Sequence, residues 1–324
     1  MRTAAHLAVI PTCVSGSRSL KAGNCDRRRH PRGAALVALL LFAVSTLAQS
    51  PPLIRKRVGE VRLALVATDR NERPLSRLSP TDIKVLDNGV PVSSFDLRPA
   101  GDFPLQVALV LDASRSTQQS WALVHDVLID SFHQSLRPGD QLLVLGFSNK
   151  IETERTVVDP AQLEDALQTR SAGGLTALYD ALYYTCGHPM LRGGAEAQRR
   201  AIILFSDGED NLSIHGLDET IARAELNGLV IYTIAMHRPR SRREGDLVLR
   251  ALAASTGGRD FIVQNADQLK GALATINAEL RNSFLLFYRS PDDSVAGDFR
   301  RVNIVPVQHT GVNVRSRQGY FTAP

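Results

Sequence analysis

From residue 105 onward, short apolar runs alternate with longer stretches in which apolar positions recur every third or fourth residue. The second pattern is that of a helix buried along one side. It predicts strands over 105–111, 141–147, 151–157, 201–206, 229–236 and 259–263. Helices are expected over 117–136, 160–169, 176–188, 217–227, 245–256 and 265–281. The runs Ala-Ile-Ile-Leu-Phe at 201–205 and Leu-Val-Ile-Tyr-Thr-Ile-Ala at 229–235 are apolar on both faces. Such strands belong in a parallel sheet covered by helices on both sides. The expected fold class is therefore α/β, a doubly wound, mostly parallel, Rossmann-like sheet.

The flanks read differently. Residues 58–68 alternate well enough for a strand, and Asp87-Asn88-Gly89 is a tight hairpin signal between strands at 82–86 and 92–97. After the last helix, 283–288, 301–307 and 312–315 are strand-like. This tail is too short for a core of its own. It is expected to pair with the strands ahead of the α/β region, forming one small β unit from N- and C-terminal segments. The expected division is 1–48 as a leader, 49–101 as β unit, 102–282 as α/β domain and 283–324 as the returning β strands.

The leader is read from Arg27-Arg-Arg-His-Pro-Arg32, the apolar run 34–44, and Ser45-Thr-Leu-Ala48-Gln49. A basic stretch, an apolar stretch and a small-residue site predict a secretory signal peptide, cut after Ala48. The apolar run is shorter than the roughly 20 residues that span a bilayer. The chain is thus expected to be exported, to the periplasm, the cell surface or the medium. It would touch membrane only through this segment, if uncut.

Composition then changes the picture in two places. The formal charge of the 324 residues is +5, but residues 1–48 hold seven Lys or Arg and one acid, a net of +6. What remains is near −1, so the basic balance gives no reason to expect nucleic acid as a partner. Of three cysteines, Cys13 and Cys25 lie in the leader, and Cys186 is left alone on a helical pattern. That excludes an internal disulfide framework and suits a small buried residue.

The candidate chemistry lies where strands end, since ligands of open α/β sheets bind beyond the carboxyl ends of the strands. The run 105–111 leads into Asp112-Ala-Ser114-Arg-Ser116, and 201–206 leads into Asp207-Gly-Glu209-Asp210. Between them Gly173-Gly-Leu-Thr176 opens a helix. Carboxylates and hydroxyls without His or Cys are hard oxygen ligands, suited to Mg²⁺, Mn²⁺ or Ca²⁺ rather than zinc. Alternate spacing in Asp-x-Ser-x-Ser lets three oxygens face one point. Ser116 or Thr117 would also serve as helix N-cap, but capping explains neither Thr176 nor Asp207.

Asp112, Ser114, Ser116, Thr176 and Asp207, in these contexts, resemble the metal-ion-dependent adhesion site of a von Willebrand factor type A domain. The resemblance covers about 102–282. The flanking Lys84-Val-Leu-Asp-Asn-Gly89 and Arg317-Gln-Gly-Tyr-Phe321 are similar to a bacterial secreted subgroup of that family. The resemblance implies direct ligation by Ser114, Ser116 and Thr176, or through water for Thr176 in an unliganded state, with Asp112 and Asp207 acting mainly through waters. The open position would take a carboxylate from a partner protein. The chain departs from the family in having Arg115 and Thr117 where Gly and often Met stand. Arg115 and Glu209 are candidate partner contacts.

Enzyme readings fare worse. The chain has no phosphate-binding Gly-rich loop and no dinucleotide fingerprint. Gly146-Phe-Ser148-Asn-Lys150 lacks the closing glycine of a nucleophile elbow. Metal-assisted hydrolysis is the enzyme alternative, but no general base is evident in sequence. A structural subunit of a cell-envelope complex, with metal secondary, is the other alternative.

Overall fold

The computed structural model describes residues 60–101, 103–117, 120–168, 174–192, 199–237, 244–291, 297–307 and 311–322. The expected leader lies outside them, as do 171–173 of the glycine loop and 238–243 of a basic loop.

The described residues begin with four strands: β1 (Glu60–Thr68), β2 (Ile83–Asp87), β3 (Val90–Pro91) and β4 (Phe95–Pro99). The α/β elements follow. They are β5 (Leu105–Asp112), α1 (Trp121–Ser135), β6 (Gln141–Phe147), β7 (Ile151–Val157), α2 (Leu163–Ala166), α3 (Leu178–Cys186), β8 (Arg199–Phe205), α4 (Leu217–Leu226), β9 (Val230–Met236), α5 (Glu244–Thr256), β10 (Asp260–Val263) and α6 (Ala266–Arg281). Four more strands close the chain: β11 (Phe284–Arg289), β12 (Phe299–Pro306), β13 (Asn313–Ser316) and β14 (Gly319–Phe321).

The central sheet has the order β10-β9-β8-β5-β6-β7, parallel except for β7, which runs antiparallel to β6. Alternation along β5 builds two cores. Leu105, Val107, Leu109 and Leu111 pack toward α1 and α6, against residues such as Leu128, Phe132 and Ile276. Ala108 and Val110 pack the other way, with Leu178, Leu182, Ala224 and Leu252 of α3, α4 and α5. Each such buried Leu or Val stabilises the fold by about 1.5–3 kcal/mol before entropy is counted. The structure is thus the doubly wound α/β layer with flanking antiparallel sheets.

Two four-stranded antiparallel sheets, β13-β1-β11-β4 and β14-β12-β2-β3, face each other as a small sandwich. Val61, Leu63 and Leu65 of β1 meet Val85, Val302 and Ile304 across it. Asp87 is fully buried there, yet accepts from Arg300 Nε (2.7 Å), Tyr320 OH (2.8 Å) and Tyr288 OH (3.1 Å), the last from the opposite sheet. A buried charge so paired ties four strands together. The α/β layer leaves and rejoins this sandwich at one point: Pro99 pairs with Phe284, and Ala100 N–H donates to Ser283 O at 2.8 Å.

Three expected elements differ. The strand returning after Asp87-Asn88-Gly89 is only Val90–Pro91, because Pro91 has no N–H to continue the ladder. The turn itself has positive φ at Asn88 (47°) and Gly89 (82°), as a two-residue hairpin requires. The chain then crosses to pair β4 with β11 in the other sheet. The helix expected over 160–169 is a 3-10 turn, Pro160–Gln162, followed by the four-residue α2. α1 starts at Trp121 rather than 117, because residues 114–117 are occupied as a loop.

Among the described residues, no helix is long and apolar enough to cross a membrane.

Candidate metal centre

Asp112 ends β5, the strand between β8 and β6. The chain goes one way from β5 to β6 and later returns to β8 on the other side. The carboxyl ends of β5 and β8 are therefore the topological switch point. Asp112 is 3% exposed and held at both oxygens. Its Oδ1 accepts the Ser114 N–H at 2.9 Å, and its Oδ2 accepts the Ser206 hydroxyl at 2.6 Å. Ser206 Oγ in turn accepts the Gly208 N–H at 3.1 Å. Thr117 Oγ1 donates to Asp112 O (2.6 Å) and Ser114 O (3.0 Å) and closes the loop. Thr117 is thus a loop clasp and not a helix cap. The N-cap of α1 is Ser120, whose side chain makes no capping bond.

Ser114 is buried and Ser116 is exposed, with their Oγ atoms 3.1 Å apart. Two ligands of one octahedral ion at about 2.1 Å lie roughly 3.0 Å apart along an edge of the octahedron. Burial pushes the Asp112 carboxyl up, and the Asp207 charge adds to this. Hydrogen bonds with Ser114 and Ser206 oppose the rise without cancelling it. An acid whose proton affinity is raised by burial and by a neighbouring acid, with hydroxyls rather than cations beside it, marks a site short of positive charge. The residues present fit a small hard cation. Among the described residues no three His, Cys, Asp or Glu cluster as ligands, so hydroxyls would have to complete the set.

Thr176 is 4% exposed and is stitched on two sides. Its N–H donates to Asn211 Oδ1 at 2.8 Å, and Asn211 N–H donates back to Thr176 O at 3.1 Å. The next residue, Ala177, donates its N–H to Ser148 O, just beyond β6, at 2.7 Å. The Thr176 segment is thereby fixed to the loop that carries Asp207. Asp207 itself is half-buried, with Oδ1 accepting the Glu209 N–H at 3.3 Å. The backbone after it is specified by glycine: Gly208 has φ +79°, and a Cβ on Gly245 at the start of α5 would lie 2.1 Å from Asp207 O. Arg115 and Glu209 are both exposed. Asp112, Ser116 and Asp207 share the wall of a cleft of about 400 Å³.

Sequence reasoning missed the braces of this loop. Ser206 is one. Asp210, which the sequence marks only as one more acid after the strand, is another, and it is half-buried. Its Oδ2 accepts from Tyr179 N–H (3.2 Å) in the first turn of α3 and from the Ser213 hydroxyl (2.5 Å). Asp180 holds the same loop further on, accepting from Ile214 N–H (3.1 Å), His215 N–H (3.0 Å) and pairing with His215 Nδ1 (2.7 Å). Burial raises the Asp180 carboxyl, but the His215 and Ile214 bonds outweigh it and leave it below the usual carboxylate range. The available signal was the density of Ser, Asp and Asn over 206–213. His237, distant in sequence from every acid of the site, also lines the cleft, with Nε2 2.8 Å from Asp246. Cys186 is fully buried, and burial pushes its thiol up to about 12, so it is no nucleophile.

A profile of the von Willebrand factor type A domain matches residues 106–275, more than half of the chain. The chain belongs to the von Willebrand factor type A family. Its type A domain is the α/β layer described above, with Asp112 and Asp207 at the switch point. Comparison with curated proteins gives no match. Among solved structures, proximal thread matrix protein 1 from the mussel byssus is 17% identical, over 60% of this chain and 51% of that one, at TM-score 0.46. This chain therefore spans about half the length of the byssus protein, which has also been solved with a zinc-occupied MIDAS motif. BatB from Bacteroides thetaiotaomicron is 18% identical, over 53% of this chain and 97% of that one, at TM-score 0.42. A von Willebrand factor type A protein from Catenulispora acidiphila is 11% identical, over 76% of each chain, at TM-score 0.46.

Proposed function

We propose that this chain is an exported, non-enzymatic binding module that captures an acidic side chain of a partner protein. A divalent ion, Mg²⁺ or else Mn²⁺ or Ca²⁺, would be held by Asp112, Ser114, Ser116, Thr176 and Asp207. The reading divides the chain into a leader at 1–48, a type A domain at 102–282, and a β unit from 49–101 and 283–324. The observation that carries it is the pair Ser114 Oγ and Ser116 Oγ, 3.1 Å apart beside an acid whose carboxyl is pushed up by burial and by Asp207.

When bound, the ion supplies an electrophilic centre that accepts an oxygen ligand. The chain's own residues do the rest. Ser206 and the Ser114 N–H hold the Asp112 carboxylate in one orientation. Asn211 fixes Thr176 against the Asp207 loop. Gly208 and Gly245 let that loop close onto α5. Arg115, exposed on the same loop as the two serines, would meet an acidic partner. His237 is tied to Asp246 and its side chain is only 9% exposed, so it is turned into the packing rather than offered as a general base.

The test is thermal unfolding of wild type and Asp112→Ala with Mg²⁺ or Mn²⁺ and with EDTA. Wild type is expected to gain Tm with metal and lose it with EDTA, while the variant stays unchanged. Identical responses would remove the metal from the reading. Metal-dependent turnover of a phosphoester or peptide, lost in Asp207→Ala, would overturn the non-enzymatic part.

A further inference from the structure

The cleft beside the acid and hydroxyl set is not used by the capture of a carboxylate alone. One wall is the site itself, through Asp112, Ser116 and Asp207. The floor is apolar: Trp121 and Val124 from the first turn of α1, Phe205 from the end of β8, and Ile234 and Met236 from β9. Val124, Phe205 and Ile234 are buried members of the α/β core, so the floor is as rigid as the core. Trp121 and Met236 are only partly buried and pack against it. At about 400 Å³ the space falls at the small end of ligand sites and suits one large side chain.

The rim decides what kind of side chain. Asp207 and Glu209 stand on it and oppose a second acid. His237 stands there too but is already paired with Asp246. Because Asp112, Ser116 and Asp207 wall both the cleft and the ion position, an occupant of the cleft must lie within a residue or two of the captured acid. We infer that the partner presents an Asp or Glu flanked by a large apolar residue, whose side chain fills the cleft between α1 and the ends of β8 and β9. The inference rests on the proposed carboxylate capture and names its ligand class, an acidic peptide segment with an aromatic or aliphatic neighbour.

Trp121 is the protein's only tryptophan, so its emission reports on the cleft directly. The experiment titrates the full chain, in Mg²⁺ and in EDTA, with capped Phe-Glu-Phe, Gly-Glu-Gly, Lys-Glu-Lys and Phe-Gln-Phe peptides. It reads Trp121 fluorescence and calorimetric affinity. Phe-Glu-Phe is expected to bind about tenfold or more tightly than Gly-Glu-Gly and to shift Trp121 emission. Met236→Ser is expected to bring the two within about twofold of each other while leaving Gly-Glu-Gly unchanged, and Met236→Gln serves the same comparison if the smaller variant does not fold. Equal affinities for Phe-Glu-Phe and Gly-Glu-Gly, or tightest binding of Lys-Glu-Lys, would overturn the apolar subsite and leave carboxylate capture standing. Binding of Phe-Gln-Phe like Phe-Glu-Phe, or binding that survives EDTA, would overturn the capture reading and this inference with it. Binding by none of the peptides overturns the subsite, and calorimetry with Mn²⁺ alone then decides the metal reading separately.

Discussion

Ser206 Oγ donates to Asp112 Oδ2 at 2.6 Å, joining the ends of two adjacent strands through the residue before Asp207. One hydroxyl therefore orients one acid and, by accepting the Gly208 N–H, shapes the turn that carries the other. Removal of a group that orients a ligand typically costs about 10–100-fold in metal affinity. Ser206→Ala is expected to keep the fold and weaken Mn²⁺ binding by about that factor, measured by titration calorimetry beside circular dichroism.

The contact of Gly245 with Asp207 O leaves no room for a side chain. Gly245→Ala is expected to push the Asp207 loop off α5 and destabilise the protein by about 1–3 kcal/mol. Urea denaturation reads the stability, and loss of the metal-dependent Tm shift reads the site. A variant with wild-type stability and metal response would refute this account of the loop.

Arg281 at the end of α6 pairs with Asp140 ahead of β6 at 2.5 Å, with both side chains nearly buried. Burial raises the Asp140 carboxyl, but bonds from Arg281, Leu105 N–H and Arg137 N–H outweigh it and hold it below its usual range. Its stabilising contribution is therefore complete above the ordinary value of 3.8 and is lost as pH falls through the lowered one. Arg281→Met leaves a buried carboxylate without its cation and is expected to cost about 3–5 kcal/mol at neutral pH. The loss should shrink in acid, as followed by chemical denaturation between pH 2 and 7.

Glu225 in α4 behaves in the opposite sense. Burial raises its carboxyl to about 7, with the nearby Arg317 charge pulling it down only in part. The protonated form is the one the folded state favours. Its contribution is complete below 4.5 and is lost as pH rises through about 7. Glu225→Gln keeps the shape and removes the titration. Wild type is expected to lose on the order of 1–3 kcal/mol relative to this variant between pH 4.5 and 8, read from Tm against pH. Parallel curves would show that Glu225 does not titrate in that window.

The central strands were legible because burial on both faces leaves β5, β8 and β9 almost no polar residues. The start of α1 was not, because Ser114, Ser116 and Thr117 are as acceptable to a helix N-terminus as to a loop. Only the bonds from Thr117 to Asp112 O and Ser114 O separate the two. The same limit applies around the candidate site. Asp112, Ser114 and Ser116 stand out as a set because their spacing is local. Ser206 and Asp210 do not, because their partners lie 94 and 31 residues away along the chain. No pattern of neighbours announces a hydrogen bond that the fold creates.

The hydrogen bond between Ala100 and Ser283 has a mechanical consequence. The type A domain enters and leaves the sandwich at this link, and Glu60 and Thr322, at the two ends of the described chain, flank the sandwich strands. Tension applied between Glu60 and Thr322 would run through the ladders of β1, β11, β12 and β14. It would also reach the α/β layer, which is pinned to β13 and the segment joining it to β14 by Gln318 N–H to Ser255 O (3.2 Å), Arg315 Nη1 to Gly258 O (2.8 Å) and the Arg315–Glu279 ion pair. A load applied at Asp112 and Asp207 would be shared between those pins and the short link from α6 into β11.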